Sequence, residues 1–336
     1  MASTYEQIMS DLRNRIYKTV YFLAGEEPYY IDLITDYIEE KVLPEAEKAF
    51  NQMIFYGEDT SVASITETSR RFPMMSNHQV IIVKEAQSLK KIEDMAYYVE
   101  KPLTSTILVI NYKYKTLDKR TKLYKLIDSN AVYFESNRLR DYQVPAWIDK
   151  YLMVKGVKTD PTASAMLTEY LGTDLHKIVN ELTKLLITLP PEKPVITTEL
   201  IEKNIGISKD YNNFELQKAV GEKNIYRANL IARYFADNPK DNPINLTIAS
   251  LFSFFSKLLN YHYLTDKSKN NVASILRINP FFVRDYEAAA SKYDARRTVG
   301  IIGLLRTYDM KSKGYGDLSS PPGDLLKELI YKIMHI

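Results

Sequence analysis

The sequence predicts an α/β domain followed by an all-α remainder, and three observations carry that expectation. Short apolar runs rich in β-branched residues alternate with helical patterns over residues 1–138. These runs lack strict polar–apolar alternation, as strands of a parallel sheet buried on both faces do. After about Arg138 the strand-like runs stop, while helical periodicity continues. Strands are expected at Val20–Ala24, Met53–Tyr56, Val80–Val83, Ile107–Ile110 and Val132–Phe134. Between them, helical patterns cover Ile31–Val42, Ser61–Phe72, Ile92–Val99 and Asp118–Ile127. Alternation of this kind gives three layers with right-handed crossovers.

Residues 139–207 read as a small helical domain, with helices at Thr162–Leu171 and Leu175–Leu189. The run Pro190–Pro194 (PPEKP) breaks the chain, and Thr198 is the expected N-cap of a helix reaching Asn204. Trp147, after Pro145, is expected as a core or domain-junction anchor, and Asn180, Glu181 and Lys184 sit at helical spacing, with Glu181 and Lys184 able to pair across i,i+3. Residues 208–336 form a third, helical domain punctuated by Asn238–Pro239, Asn242–Pro243 and Asn279–Pro280. Its run LTIASLFSFFSKLLNYHYL is apolar nearly all round, which marks a central helix or a subunit interface.

Composition narrows the chemistry. With 336 residues the chain exceeds one ordinary domain, and 45% hydrophobic with 26% charged residues is a globular balance. The absence of cysteine excludes disulfides, thiolate zinc and a thiol nucleophile. His78, His176, His262 and His335 show no metal-ligand spacing. No apolar run approaches the roughly 18 residues of a membrane span, and the polar N-terminus does not read as a signal peptide. A cytoplasmic protein without metal or cofactor is therefore expected. The net charge of +3 divides into −2 over residues 1–138, −1 over 139–207 and +6 over 208–336, so a phosphate-facing surface, if there is one, belongs to the last third.

An α/β domain followed by a small helical domain is the layout of AAA+ ATPases, which makes the phosphate-binding parts the next test. A phosphate loop reads G-x-x-x-x-G-K-[ST], where glycines bring backbone amides to the phosphates, Lys neutralises charge and the hydroxyl holds magnesium. Counted from Gly25, the second Gly position is Tyr30, the Lys position Ile31 and the Ser/Thr position Asp32. Tyr blocks backbone approach, Ile brings no charge and Asp repels a phosphate. Where an ATPase strand ends in acidic metal ligands, Val80–Val83 is followed by Lys84, with Glu85 after it. The expected fold is thus an AAA+-like three-layer α/β domain that has lost its chemistry, a small helical lid domain (139–207) and a C-terminal helical collar domain (208–336).

These degenerate motifs, in this order, resemble the delta subunit of the bacterial DNA polymerase III clamp loader. The segments that carry the resemblance are VYFLAGEEPYYIDLI, IFYGEDTSVASITETSRRFPMMSNHQVIIVKEAQSL, LGTDLHKIVNELTKL and FELQKAVGEKNIYRANLIARYF. It implies a non-hydrolysing subunit that binds and opens the ring-shaped sliding clamp (the beta subunit) through its first domain. It also implies assembly through the third domain with ATPase subunits (tau/gamma) and a stator subunit (delta prime), action on primer-template DNA, and no membrane partner. Through its holoenzyme such a subunit is filed with DNA-directed DNA polymerases, a nucleotidyltransferase class, although this chain is expected to catalyse nothing.

Two rival readings stand beside this one. An active nucleoside triphosphatase would need another phosphate loop, and the sequence holds none; a helical nucleic-acid-binding module unrelated to replication would leave the α/β domain and RRFPMM unexplained. Pro73 disfavours helical geometry at Phe72, so Met74 and Met75 fall in the turn before Val80–Val83. By composition alone they could tuck under the sheet edge. The resemblance instead places a two-residue clamp-binding element there, with Met in place of the more usual Leu and Phe. Tyr315, between Gly314 and Gly316 and after Lys311 and Lys313, could stack on an exposed base or merely cap the preceding helix, with Arg296, Arg297 and Arg306 near enough in sequence to meet phosphates.

Overall fold

Val20, Phe22 and Ala24 of the first strand pack into one hydrophobic cluster, while Tyr21 and Leu23 pack into another on the opposite side of the sheet. The same split recurs in the third and fourth strands, so both faces of the sheet are covered and a three-layer domain results. The structure is a computed structural model describing residues 3–189, 194–205, 211–316 and 320–336. It comprises two units: residues up to Leu139 with Asp174–His176, and Arg140–Thr173 with Lys177–Ile336.

The first unit runs α1 (Tyr5–Arg13), β1 (Val20–Gly25), α2 (Pro28–Lys41), α3 (Glu45–Asn51), β2 (Gln52–Tyr56), α4 (Val62–Ser69), β3 (Gln79–Lys84), α5 (Ala96–Val99), β4 (Thr106–Lys113), α6 (Lys122–Asn130) and β5 (Val132–Glu135). The five strands form one parallel sheet in the order β2-β3-β4-β1-β5. All five expected strands are present. The α4, α5 and α6 helices cover one face through Ile65, Val99 and Ile127. On the other face, α1 and α2 supply Ile8, Leu12, Ile31, Ile34 and Ile38.

Several boundaries differ from the sequence reading, each for a local reason. The α1 helix was not expected; Thr4 and Gln7 close a capping box that starts it. The α3 helix begins after Pro44 with Glu45 and Glu47 in its first turn, where carboxylates favour the helix dipole. The expected helix over Ile92–Val99 begins as a 3-10 turn at Ile92–Met95, and the one over Asp118–Ile127 lies four residues later at its start. Most telling is α4, which stops at Ser69 rather than Phe72. Its last carbonyls are taken by side chains from elsewhere. Thr106 Oγ1 and the Tyr98 hydroxyl donate to Ser69 O (2.8 and 3.2 Å), and Gln79 Nε2 reaches Thr68 O (3.4 Å) and Arg71 O. Pro73 has no amide to bond Ser69 O four residues back, and side chains from the sheet and α5 take that carbonyl instead.

The second unit runs α7 (Val144–Val154), β6 (Lys158–Thr159), α8 (Pro161–Leu171), α9 (Leu175–Thr188, whose first residues group with the first unit), β7 (Val195–Ile196) and α10 (Thr198–Ile205). It continues with α11 (Asn213–Gly221), α12 (Ile225–Asp237), α13 (Ile244–His262), α14 (Lys269–Leu276), α15 (Val283–Lys292), α16 (Ala295–Ser312) and α17 (Pro322–Met334). Strands do not stop at Arg138 after all: β6 and β7 pair as a two-residue parallel ladder, too short to leave a periodic signal. The break at Pro190–Lys193 lies outside the described residues. Thr197, not Thr198, caps α10, its Oγ1 accepting from the Leu200 amide at 3.4 Å. Trp147 is half-buried and stacks on Tyr151 one turn later (5.4 Å, 17°) instead of anchoring the core. The Lys184–Glu181 pair forms at 2.7 Å. The apolar run is α13, whose Leu251, Phe254, Phe255 and Leu258 are buried in the core of residues 216–334.

Candidate functional site

The turn after β1, where a phosphate would sit, is already occupied by the protein's own groups. Gly25 has φ +130, and a Cβ there would lie 2.1 Å from the carbonyl oxygen of Ser136, so only glycine fits. The Gly25 amide donates to Lys115 O (2.9 Å), and the Glu27 amide to Ser136 O (3.1 Å). The Tyr29 amide donates to Oε1 of Glu27 (3.0 Å), whose side chain caps α2. Helix N-termini attract anions through free amides and the dipole; here Glu27, buried to 3% exposure, supplies the acid itself. Burial pushes the Glu27 carboxyl above its ordinary value, against the lowering effect of the Tyr29 amide.

The other motif positions are likewise engaged. Tyr30 lies against Tyr5 (4.8 Å) and Tyr29 (5.3 Å), and Ile31 is fully buried in the core. Asp32 Oδ1 accepts from Lys113 Nζ at 2.7 Å, and Lys113 also reaches Glu85 at 3.5 Å. Burial opposes the Lys113 charge, but the hydrogen bond and charge of Asp32, aided by Glu85, hold its pKa above the ordinary value. His176, grouped with this unit, has Nε2 3.3 Å from Asp32 Oδ2. Lys84 pairs with Glu39 at 2.9 Å, and that partner outweighs burial to raise its pKa. Glu27, Lys113 and Ser136 were not foreseen. Pro28 at the first helical position marks where α2 starts, but Glu is not among the usual N-cap residues, so the Glu27 cap was not readable.

A second feature lies in the turn before β3. Met74 is 62% exposed and Met75 fully exposed, with Phe72 (77%) beside them. The turn is nonetheless fixed. Asn51, buried at the end of α3, donates from Nδ2 to Met74 O (2.9 Å) and accepts from the Met74 amide at Oδ1 (2.7 Å). Met75 has φ +52, a left-handed conformation uncommon for a residue with a side chain. Ser76 Oγ donates to His78 O (3.0 Å) and accepts from the His78 amide (3.3 Å). No sequence signal pointed to Asn51; its partner is 23 residues away.

In the second unit, the Tyr315 amide folds back to Met310 O (3.0 Å) and that of Gly314 to Lys311 O (2.9 Å), with Gly314 and Gly316 at φ +85 and +80. The backbone thus caps α16 while the Tyr315 ring stays 68% exposed. Lys313 pairs with Asp309 (2.7 Å) and Lys311 lies over the Tyr308 ring (5.0 Å), whereas Arg296, Arg297 and Arg306 are exposed on α16.

Residues 21–137, nearly the whole α/β unit, match the family described as DNA polymerase III, delta subunit. The chain is 25% identical over 310 residues to DNA polymerase III subunit delta of Bacillus subtilis, covering 87% of this chain and 88% of that protein. Its fold matches that of the Bacillus subtilis DNA clamp loader delta protein with a TM-score of 0.54 at 21% identity, covering 99% of this chain and 100% of that one. These findings describe a likeness to the DNA polymerase III delta subunits, in sequence over residues 21–137 and in fold across the chain. The chain is a relative of the DNA polymerase III delta subunits, as its degenerate motifs implied.

The closed turn after β1 leads to a stability prediction. Gly25→Ala drives a Cβ into the Ser136 carbonyl and loses the permissive φ, so it should cost about 2–4 kcal/mol, read as a lower urea midpoint.

Proposed function

We propose that the chain is a non-hydrolysing clamp-loader subunit that binds the ring-shaped sliding clamp and holds it open for loading onto primed DNA. The reading rests above all on Met74 and Met75, two large apolar side chains exposed on a turn fixed from beneath by Asn51. Soluble proteins seldom present such pairs on a rigid support without a partner, and Met adapts readily to a partner's pocket. Burying both would contribute roughly 3–6 kcal/mol before ordering costs. Clamp-loader ATPase subunits and a stator subunit are the proposed neighbours, engaged through residues 208–336 as a collar, with 139–207 as a lid and the cytoplasm as the setting.

The filled phosphate position supports an absence of intrinsic turnover. Three amides of the turn are spent on internal acceptors, and Asp32 and Lys113 neutralise each other. Purified chain incubated with ATP and magnesium should release no phosphate above background; turnover lost on Asp32→Ala would overturn this part of the reading.

A contact with primer-template DNA is proposed at Tyr315, whose capping backbone fixes a ring that remains free to stack. Stacking of one base on an aromatic side chain is worth roughly 1–3 kcal/mol. Tyr315→Ala should weaken primer-template binding by the assembled loader about five- to a hundredfold, measured by fluorescence anisotropy, and unchanged affinity would remove the stacking idea.

The principal test is Met74→Ala combined with Met75→Ala. Clamp binding should fall below detection in surface plasmon resonance, while the melting transition and assembly with the ATPase subunits stay as in the parent. Normal clamp affinity in this variant would refute the assignment.

A further inference from the structure

We infer that Asn51 is the positioning residue of the Met74–Met75 element, setting the affinity of that turn for the clamp without contributing apolar surface of its own. The inference rests on the clamp-binding reading of the two methionines and adds the device that makes them effective. A side-chain amide offers one donor group and one acceptor, in the same plane. Asn51 spends both on a single residue, donating to Met74 O at 2.9 Å and accepting from the Met74 amide at 2.7 Å. This reproduces the two-bond pairing of a short antiparallel ladder at a place where no strand runs. A further bond from Asn51 Nδ2 to Glu47 O (3.2 Å) ties the amide to its own helix, and the residue is 4% exposed. Asn51 is therefore seated before any partner arrives.

The arrangement also accounts for the backbone of the next residue. Met75 is held at φ +52, a region disfavoured for a side chain of its type and retained only where surroundings over-determine it. Pinning both backbone polar groups of Met74 leaves Met75 little freedom to relax. From the other side, Ser69 and Arg71 carbonyls are gripped by Thr106, Tyr98 and Gln79. The turn is thus held before the methionines at Ser69 and Arg71, at Met74 itself, and after them by the Ser76–His78 bonds. A contact made by two exposed methionines would otherwise lose much of its gain to ordering the loop, and a loop ordered in advance avoids that loss.

The test compares three full-length variants, each assayed for affinity to the cognate sliding clamp and for melting temperature. Asn51→Ala should weaken clamp binding at least tenfold while retaining a cooperative melt. Asn51→Asp, similar in size and still able to accept the Met74 amide, should recover part of that loss, a rescue that simple loss of packing would not produce. Met74→Ala with Met75→Ala provides the reference. If that reference variant does not bind and Asn51→Ala binds within twofold of the parent, the positioning role is overturned and the clamp reading stands. If the reference variant binds normally, the clamp reading falls and this inference with it. Should Asn51→Ala fail to fold, hydrogen exchange in the parent decides: a Met74 amide at least tenfold slower than its unstructured rate supports the inference, and exchange at that rate overturns it.

Discussion

In a parallel sheet covered by helices on both faces, the loops at the two ends of the strands are where backbone groups are free to meet other molecules. That constraint organises the first unit. Because all five strands run the same way, the loop after β1 lies at their C-terminal ends and the turn before β3 at their N-terminal ends. Strands of about six residues at about 3.3 Å each set these ends roughly 20 Å apart. One end has been sealed by internal hydrogen bonds and ion pairs. The other carries exposed methionines on a braced turn. Both follow from β-strands whose side chains are consumed by burial on either face, so that binding falls to the loops.

The two ends show the same physical economy with opposite results. At the C-terminal end, Ser136, Lys115 and Glu27 satisfy backbone amides that would otherwise seek an anion. At the N-terminal end, Asn51, Gln79 and Thr106 satisfy the backbone of the turn and thereby leave the apolar side chains with nothing to do internally. Satisfying the backbone closes one site and presents the other. Sealed polar groups make a surface inert, whereas the same treatment beneath a hydrophobic pair makes it a rigid contact.

How much of this was legible in the sequence depends on the range of the interaction. The five strands were readable because Val20–Ala24 and its counterparts are continuous apolar runs bounded by turns. The departure from a phosphate-loop pattern was readable because Tyr30, Ile31 and Asp32 are consecutive positions of one pattern. The α1 capping box, Thr4 with Gln7, obeys a local rule and was there to be read. By contrast, the end of α4 is set by Gln79, Tyr98 and Thr106, which lie 8 to 37 residues from the carbonyls they hold. Pro73, four residues beyond the true end, marks the turn correctly because it has no amide for Ser69 O, but it does not show how early the helix stops. Asn51 and Ser136 acquire their roles only when the chain folds back, and β6 and β7 are too short for any periodicity to reveal.

The internal capping at Gly25 and Glu27 also bears on how such a domain changes over evolutionary time. A nucleotide site disabled at one position can be regained by one reversion. Here the amides after β1 are committed to Lys115 and Ser136, the helix terminus to Glu27, and Asp32 to Lys113. Restoring a lysine at Ile31 would place a charge in the core. Restoring a serine at Asp32 would leave Lys113, itself largely buried, with only the more distant Glu85 as counter-charge. Each backward step is unfavourable until several others have been taken. The internal bonds after β1 therefore act as a ratchet: sequence change at any one of these positions alone does not build a phosphate site there.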